Sequence, residues 1–147
     1  MTGLTIAKWE DASVCTRIFV DVFSNPPWEY PWITDEKSGR YIEDIFRSPG
    51  FLGFLYYQDD RLAGFCIGSI NDYFFDPQYE IKELAIRVES QRQGTGSKML
   101  LEIEQNLAQN GVTLIFLHTS RTIPAYRFYI KNGYAPVDDN VYFMKEI

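Results

Sequence analysis

The sequence predicts a mixed α/β fold in which a central mixed sheet carries helices on both faces. Apolar runs of strand length alternate with segments of helical periodicity along the 147 residues. Residues 80–101 pass from a buried strand through a glycine loop directly into a helix, and residues 112–118 supply a second buried strand after it. A strand–helix–strand succession of this kind predicts two parallel strands in one sheet. We expect residues 1–147 to form one domain.

The first part of the chain predicts a strand followed by two helices. Residues 4–9 alternate between apolar and polar side chains as a short strand does, and apolar side chains in residues 14–23 recur at helical spacing. The prolines of residues 25–32 prevent that helix from continuing. Thr34 is placed to cap a second helix, whose first turn carries two acidic residues.

A β-hairpin is predicted next. Residues 51–57 and 62–70 are two apolar runs joined by the turn residues Asp59-Asp60-Arg61. Gly64 and Gly68 in the second run indicate a bulge or a close approach of another backbone.

The remaining elements follow from the same signals. The strand at 80–88 leads through the glycine loop into a helix that reaches about residue 109, where Asn110-Gly111 ends it. Asn132-Gly133 closes a further helix in the same way. After Asn110-Gly111 we expect a strand at 112–118, a helix at 123–131 and two final strands at 134–137 and 141–145.

Composition narrows the classes of function. The net charge of −6 argues against a nucleic-acid partner. No apolar run reaches the length of a membrane span, and the N-terminus lacks a signal-peptide pattern. Cys15 and Cys66 form no CxxC pair, so we expect free thiols in a reducing, cytoplasmic compartment. With one histidine and no Cys/His cluster, no metal site is predicted.

The glycine loop at residues 91–96 has the character of a pyrophosphate cradle. The first N–H groups of a helix lack internal partners and lie at the positive end of its dipole, and glycines let phosphate oxygens approach them. The P-loop pattern is absent because Lys98 does not directly follow Gly96. The dinucleotide pattern is also absent, since Met99 stands where its third glycine should be.

The pattern that remains, Gln91-x-x-Gly94-x-Gly96 after a Leu-Ala-Ile strand, resembles the acyl-CoA loop of the GNAT family (Gcn5-related N-acetyltransferases). A second segment resembles the C-terminal motif of the same family, A-x-x-[FL]-Y-x-x-x-G-[FY]. Both motifs come in the family's order with one strand between them, and the resemblance covers essentially the whole chain. It implies a GNAT-like acyl-CoA N-acyltransferase fold and an acetyl-CoA-dependent N-acetyltransferase. The residues that match the second motif are Ala125, Phe128, Tyr129, Gly133 and Tyr134.

The resemblance also implies which residues contact acetyl-CoA (coenzyme A). Backbone groups of the predicted strand line the pantetheine and the acetyl carbonyl, and the glycine loop holds the pyrophosphate. Many members have an asparagine after the next strand, where this chain has Thr119-Ser120, which can still form hydrogen bonds. The implied cofactor contacts are Leu84, Ile86, Val88, Gln91, Arg92, Gln93, Gly94, Thr95, Gly96, Ser97, Thr119, Ala125 and Tyr129.

Acyl transfer to an amine needs a neutral nucleophile and a protonated leaving thiolate. Tyr129 matches the tyrosine that protonates the thiolate in many family members; the alternative for it is a core tyrosine. Glu80 and Glu83 are the candidates for the base that deprotonates the amine, and the sequence leaves the choice between them open. Either glutamate could instead bind Lys82 or Arg87.

The family resemblance puts the acceptor between the loop after the first helix and the aromatic, acidic loop that contains Tyr73-Phe74-Phe75. Acidic residues near both loops favour a small-molecule amine acceptor that is cationic, similar to an aminoglycoside or a polyamine. Protein or peptide acetylation and a non-catalytic acyl-CoA-binding module are the alternatives, and a homodimer is compatible with the sequence. The predicted acceptor residues are Trp28, Tyr30, Trp32, Asp72 and Tyr73, with Asp35, Glu36 and Asp76 nearby.

Overall fold

The computed structural model describes residues 1–74 and 76–147; Phe75 of the predicted acceptor loop lies outside the described residues. Two short 3₁₀ turns, Trp9–Asp11 and Val88–Ser90, accompany the longer elements. These elements are, in chain order, β1 (Gly3–Ile6), α1 (Ala12–Phe23), α2 (Asp35–Phe46), β2 (Phe51–Gln58), β3 (Arg61–Asn71), β4 (Gln78–Ile86), α3 (Thr95–Gln109), β5 (Leu114–Phe116) and α4 (Pro124–Lys131).

The strands form one mixed sheet in the order β1-β2-β3-β4-β5. All neighbouring pairs are antiparallel except β4 and β5, which run parallel with Glu80 opposite Phe116. The predicted parallel pair around α3 is therefore confirmed. The predicted hairpin is confirmed too, and its turn residues Asp59 and Asp60 both have positive φ, as a type I′ turn requires.

Helices cover both faces of the sheet, as predicted. On one face α1 and α2 pack against side chains such as Phe65, Ile67 and Ala85. On the other face α3 and α4 pack against Tyr79 and Ile81. No helix of residues 1–74 and 76–147 is long and apolar enough to cross a membrane.

The caps and cysteines also follow the sequence. The Thr34 side chain accepts a hydrogen bond from the Lys37 backbone N–H at 3.3 Å, so it caps α2 as expected. Cys15 is buried on the α1/α2 face and Cys66 on the α3/α4 face, and both thiols are free.

A bulge interrupts the pairing of β3 with β4. Ile67 pairs with Glu83, but the next residue, Gly68, pairs with Ile81, so Lys82 is an extra residue in β4. A Cβ atom on Gly68 would lie 1.9 Å from the carbonyl oxygen of Glu80. The bulge therefore requires glycine at position 68.

The bulge reverses the alternation of side chains along β4. Before it, Tyr79 and Ile81 point into the α3/α4 core. After it, Leu84 packs on that same core, whereas Ala85 belongs to the α1/α2 core. Glu83 consequently lies on the α1/α2 face, whereas an unbroken strand would have put it on the side of Tyr79 and Ile81.

Two sequence predictions about strands were wrong. Residues 134–137 and 141–145 are not strands, and side chains such as Val141 and Phe143 are exposed. A short apolar run forms a strand only where a partner strand pairs with its backbone, and this segment has no partner strand in the part of the chain that the structure describes. In addition, β4 ends at Ile86, and Val88 lies in a 3₁₀ turn with its side chain 46% exposed.

We expect Gly68→Ala to lower the free energy of unfolding by about 2 kcal/mol or more, because the new methyl group must displace backbone rather than a flexible side chain. Gly39→Ala is the matched control. Gly39 lies in α2 with no atom within 4 Å of a built Cβ, so alanine there should raise the same quantity by up to about 1 kcal/mol. Urea unfolding of both variants measures the effect, and equal stabilities would contradict the bulge.

Candidate active site

A cavity of about 630 Å³ opens beside the middle of β4. Its walls come from α1, the α1–α2 loop, α2, β4, the segment after β5, and α4. The residues that line it are Phe19, Phe23, Trp28, Tyr30, Trp32, Ile33, Lys37, Ser38, Tyr41, Ile81, Lys82, Glu83, Leu84, Leu117, His118, Thr119, Ile123, Ala125 and Tyr129.

Glu83 is the carboxyl group in this cavity. The Tyr41 hydroxyl of α2 donates a hydrogen bond of 2.6 Å to Glu83 Oε1. Burial raises the pKa of the Glu83 carboxyl to about 7, and the hydrogen bond from Tyr41 partly opposes this rise because it stabilises the carboxylate. A carboxyl group with such a pKa exchanges protons near neutral pH, which is the property that a general base needs.

Glu80, the other candidate base, has a different environment. Its Oε1 atom lies 2.9 Å from the Lys82 ammonium group and 4.0 Å from His118 Nδ1. Its side chain is not among those that line the cavity. Of the two glutamates, the structure brings only Glu83 into the cavity.

Tyr129 lies on α4 at the inner wall of the cavity. Pro124 starts this helix, where its missing N–H costs nothing. The Tyr129 side chain is 9% exposed and packs between Phe128 and Tyr134, with ring centroids 5.1 and 5.4 Å away. Burial, together with the nearby Cys66 and Glu83, raises the pKa of the Tyr129 hydroxyl above its usual value. The hydroxyl is therefore protonated at neutral pH.

The glycine loop is tied to the sheet by two of its side chains. Gln91 Nε2 donates a 2.8 Å hydrogen bond to the carbonyl oxygen of Ile86 at the end of β4. Thr95 is buried, and its hydroxyl donates to Gln58 Oε1 at 3.1 Å. These two side chains hold the loop in place, so they support the cradle rather than point into it.

The start of α3 is open to an anion. Gly94 is the N-cap residue, has φ +76°, and makes no side-chain cap. A Cβ atom built on it would meet nothing within 4 Å. The first N–H groups of α3 are thus uncapped beside free space, at the positive end of a helix of 15 residues. This arrangement fits the pyrophosphate of coenzyme A.

Gly96 has a packing role. A Cβ atom there would lie 3.1 Å from the Phe128 ring and 3.5 Å from Ile86. The absence of a side chain lets the first turn of α3 approach α4 closely. The cradle and the helix that carries Tyr129 are therefore in direct contact.

Most of the predicted cofactor residues fall into two groups, and Ile86 and Val88 belong to neither, since they lie at and beyond the end of β4 and outside the cavity lining. Leu84, Thr119, Ala125 and Tyr129 line the cavity. The loop residues 91–97 lie outside its lining, at the start of α3. Among residues 1–74 and 76–147, no group of three or more His, Cys, Asp or Glu side chains is placed to hold a metal ion.

The predicted acceptor residues also separate. Trp28, Tyr30 and Trp32 line the cavity, but Asp72 and Tyr73 are exposed after β3 and do not. Asp35, Glu36 and Asp76 are exposed as well and are absent from the lining. The acidic mouth expected from the sequence is therefore not formed by these residues.

Tyr41 and Lys37 are two polar residues of the cavity that sequence reasoning missed. Tyr41 was expected only on the inner face of α2, and its helical spacing gave no sign of a carboxylate partner on β4. Lys37 lies in the first turns of α2 after two acidic residues, which suggested an acidic surface, but the helix turns the lysine toward the cavity.

Comparison with known proteins identifies the class. A sequence model of the acetyltransferase (GNAT) family matches residues 16–134. No curated protein matches the chain in sequence. The chain belongs to the GNAT family and is an acetyl-CoA-dependent N-acetyltransferase.

Solved structures share its fold. An aminoglycoside acetyltransferase, meta-AAC0020, from an uncultured soil metagenomic sample in complex with sisomicin has a TM-score of 0.72 at 17% identity, covering 98% of this chain and 95% of that one. A possible acetyltransferase from Clostridium difficile 630 has a TM-score of 0.78 at 13% identity, with coverage of 100% and 99%. A ribosomal-protein-alanine N-acetyltransferase from Brucella melitensis biovar Abortus 2308 has a TM-score of 0.74 at 11% identity, with coverage of 99% and 99%. These similarities show the fold alone.

Gly94→Ala should weaken acetyl-CoA binding by roughly tenfold or more, because alanine is strained at φ +76° and moves the N–H groups of the cradle. Gly111→Ala is the matched control, since Gly111 follows the other end of α3 with φ +83° and equally open space. Both variants should lose similar stability. Calorimetric titration with acetyl-CoA measures the difference, and equal affinities in the two variants would rule out the cradle.

Proposed function

We propose that this N-acetyltransferase transfers the acetyl group of acetyl-CoA to the amino group of a small amine that is cationic in solution. The observation that carries the proposal is that Glu83 and Tyr129 line the same cavity. One is a carboxyl group with a pKa of about 7, and the other is a protonated phenol. The carboxyl group can accept the proton that the amine must lose, and the phenol holds the proton that the leaving thiolate needs.

Glu83 is the proposed general base. An amine is protonated at neutral pH and attacks only after it loses a proton. With a pKa of about 7, a large fraction of Glu83 is ionised at that pH and can accept the proton. Tyr41 holds the carboxylate in place through its 2.6 Å hydrogen bond, which leaves the second carboxylate oxygen for the ammonium group.

Tyr129 is the proposed general acid. Acetyl-CoA supplies a thioester whose sulfur becomes a thiolate when the acetyl group is transferred. The Tyr129 hydroxyl is protonated in the resting protein and donates its proton to that sulfur. Tyr129 contacts Phe128, which packs on Gly96 of the loop, so the acid is positioned relative to the cradle.

The proposed cofactor contacts use both groups of residues. The uncapped start of α3, with Arg92, Gln93 and Ser97 around it, holds the pyrophosphate. Leu84, Thr119 and Ala125, which line the cavity, contact the pantetheine, and Ile86 extends this set to the end of β4. The exposed Val88 is left out of this set because the strand ends before it.

The shape of the cavity favours a small acceptor over a peptide. A volume of about 630 Å³ lies within the range of small-molecule sites, and it must take the acetyl end of the cofactor as well as the amine. The α1–α2 loop contributes Trp28, Tyr30 and Trp32 to one wall.

Tyr129→Phe tests the proposal, because it removes a hydroxyl and keeps the ring packing. We expect kcat and kcat/KM to fall together by roughly 10²–10⁴-fold, with acetyl-CoA affinity nearly unchanged, since a general acid acts in the transition state. The measurement is steady-state release of free thiol, beside a binding titration.

Tyr134→Phe is the control for this prediction. The Tyr134 ring packs on Tyr129, but its hydroxyl donates to Glu104 Oε1 at 3.2 Å. Its loss should leave kcat within about twofold of the original value, since the group acts on no reacting atom. Near-normal kcat in Tyr129→Phe would remove Tyr129 from the mechanism, and weak binding with normal kcat would make it a cofactor contact only.

A further inference from the structure

We propose that the acceptor is an arylalkylamine, a molecule with a flat aromatic body and one primary amine, rather than a polycation. This inference rests on the proposed function, because it takes the cavity beside Glu83 and Tyr129 as the acceptor site. Three features of the cavity support it. They are its aromatic wall, the ring-to-ring contacts that connect this wall to Glu83, and the charges of the side chains that line it.

The aromatic wall consists of Phe19, Phe23, Trp28, Tyr30 and Trp32. Tyr30 and Trp32 are stacked with centroids 4.5 Å apart and planes at 18°. Trp28 meets Phe23 edge-on, with centroids 5.2 Å apart and planes at 75°. Trp32 is 60% exposed, so much of its indole ring is available to a ligand. A flat aromatic molecule lying against the wall would cover it.

The wall leads to the proposed base. Phe23 contacts Phe19 with centroids 4.8 Å apart, and Phe19 contacts the Tyr41 ring at 5.6 Å. The Tyr41 hydroxyl in turn bonds Glu83. An unbroken row of rings therefore ends at the carboxylate. A ligand that matches this order has an aromatic body at one end and an amine at the other.

The charges of the lining oppose a polycation. Among the described residues that line the cavity, Glu83 is the only carboxylate, whereas Lys37 and Lys82 bring two ammonium groups. Lys82 is paired with Glu80 outside the lining, which leaves Lys37 against Glu83. A second ammonium on the acceptor would meet Lys37 and no carboxylate; Lys37 is exposed, so the repulsion is weak, but the lining offers the second charge no attraction.

The nearby acidic residues do not change this balance. Glu36 is paired with Arg40 at 2.7 Å on the outer side of α2. Asp35, Asp72 and Asp76 are exposed and outside the lining. Water screens such charges, so they attract a cation only weakly.

The test is a panel of acceptors assayed by free thiol release with acetyl-CoA. Tryptamine and 2-phenylethylamine are the arylalkylamines, hexylamine is the aliphatic monoamine, and spermidine and kanamycin are the polycations. We expect kcat/KM for the two arylalkylamines to exceed that for either polycation by roughly tenfold or more. Hexylamine should fall between the two groups, since it lacks the ring but carries one charge.

Two substitutions test the aromatic contact and the charge of the cavity independently. Trp32→Leu should lower kcat/KM for tryptamine severalfold and lower the value for hexylamine less, because the aromatic body loses a stacking partner whereas the alkyl chain keeps an apolar contact with leucine. Lys37→Glu should raise kcat/KM for spermidine, because it supplies the missing carboxylate. Lys8→Glu is its control, with the same change of charge on an exposed residue outside the cavity.

The outcomes distinguish this inference from the proposed function. Turnover that is highest with spermidine or kanamycin would overturn the arylalkylamine and leave the acetyltransfer to a small amine intact. Thiol release with none of the amines would overturn the proposed function and the inference with it. Tryptamine turnover that is equal in the original protein and in Trp32→Leu would also count against the aromatic wall.

Discussion

The β-bulge at Lys82 is the constraint on which the site depends. An unbroken β4 would carry Glu83 on the same face as Tyr79 and Ile81, in the core beneath α3. The extra residue puts Glu83 on the opposite face, against Tyr41 of α2 and beside the cavity. The bulge in turn needs Gly68, because a side chain there would collide with the carbonyl of Glu80. One glycine on β3 thus determines the environment of a carboxyl group on β4.

Short contacts hold the glycine loop to β4 and to α4. Gln91 fastens the loop to the end of β4, and Gly96 lets α3 approach Phe128 of α4. Tyr129 follows Phe128, so the same helix contacts both the cradle and the cavity. β4, the glycine loop, α3 and α4 therefore together position the cradle and Tyr129. A change in the loop is expected to reach Tyr129 through Phe128 as well as to alter the cradle itself.

Sequence periodicity predicted the helices, the hairpin, the parallel strands and the cap at Thr34, because these features depend on local patterns. The motif around Tyr129 predicted a tyrosine beside the thioester sulfur, which stays a prediction, and the structure puts this side chain at the wall of the cavity. The sequence could not predict which of Glu80 and Glu83 faces the cavity, because this depends on the register shift between β3 and β4. Gly68 was the only indication of that shift, and it predicted either a bulge or a close approach of another backbone. The short apolar runs at 134–137 and 141–145 predicted strands that do not form, because an apolar run does not supply a partner strand. The predicted acidic mouth was wrong for a related reason. The sequence shows that acidic residues lie near both loops, but it does not show which side chains face the cavity.

The titration of the Glu83 carboxyl, followed by ¹³C NMR and assigned with Glu83→Gln, tests the central claim most directly. A buried carboxyl turned toward α2 should titrate with a pKa of about 7. In Tyr41→Phe the pKa should rise further, because the hydrogen bond that stabilises the carboxylate is lost. A pKa in the ordinary range of glutamate, about 4.3, and unchanged by Tyr41→Phe, would contradict the placement of Glu83 by the bulge.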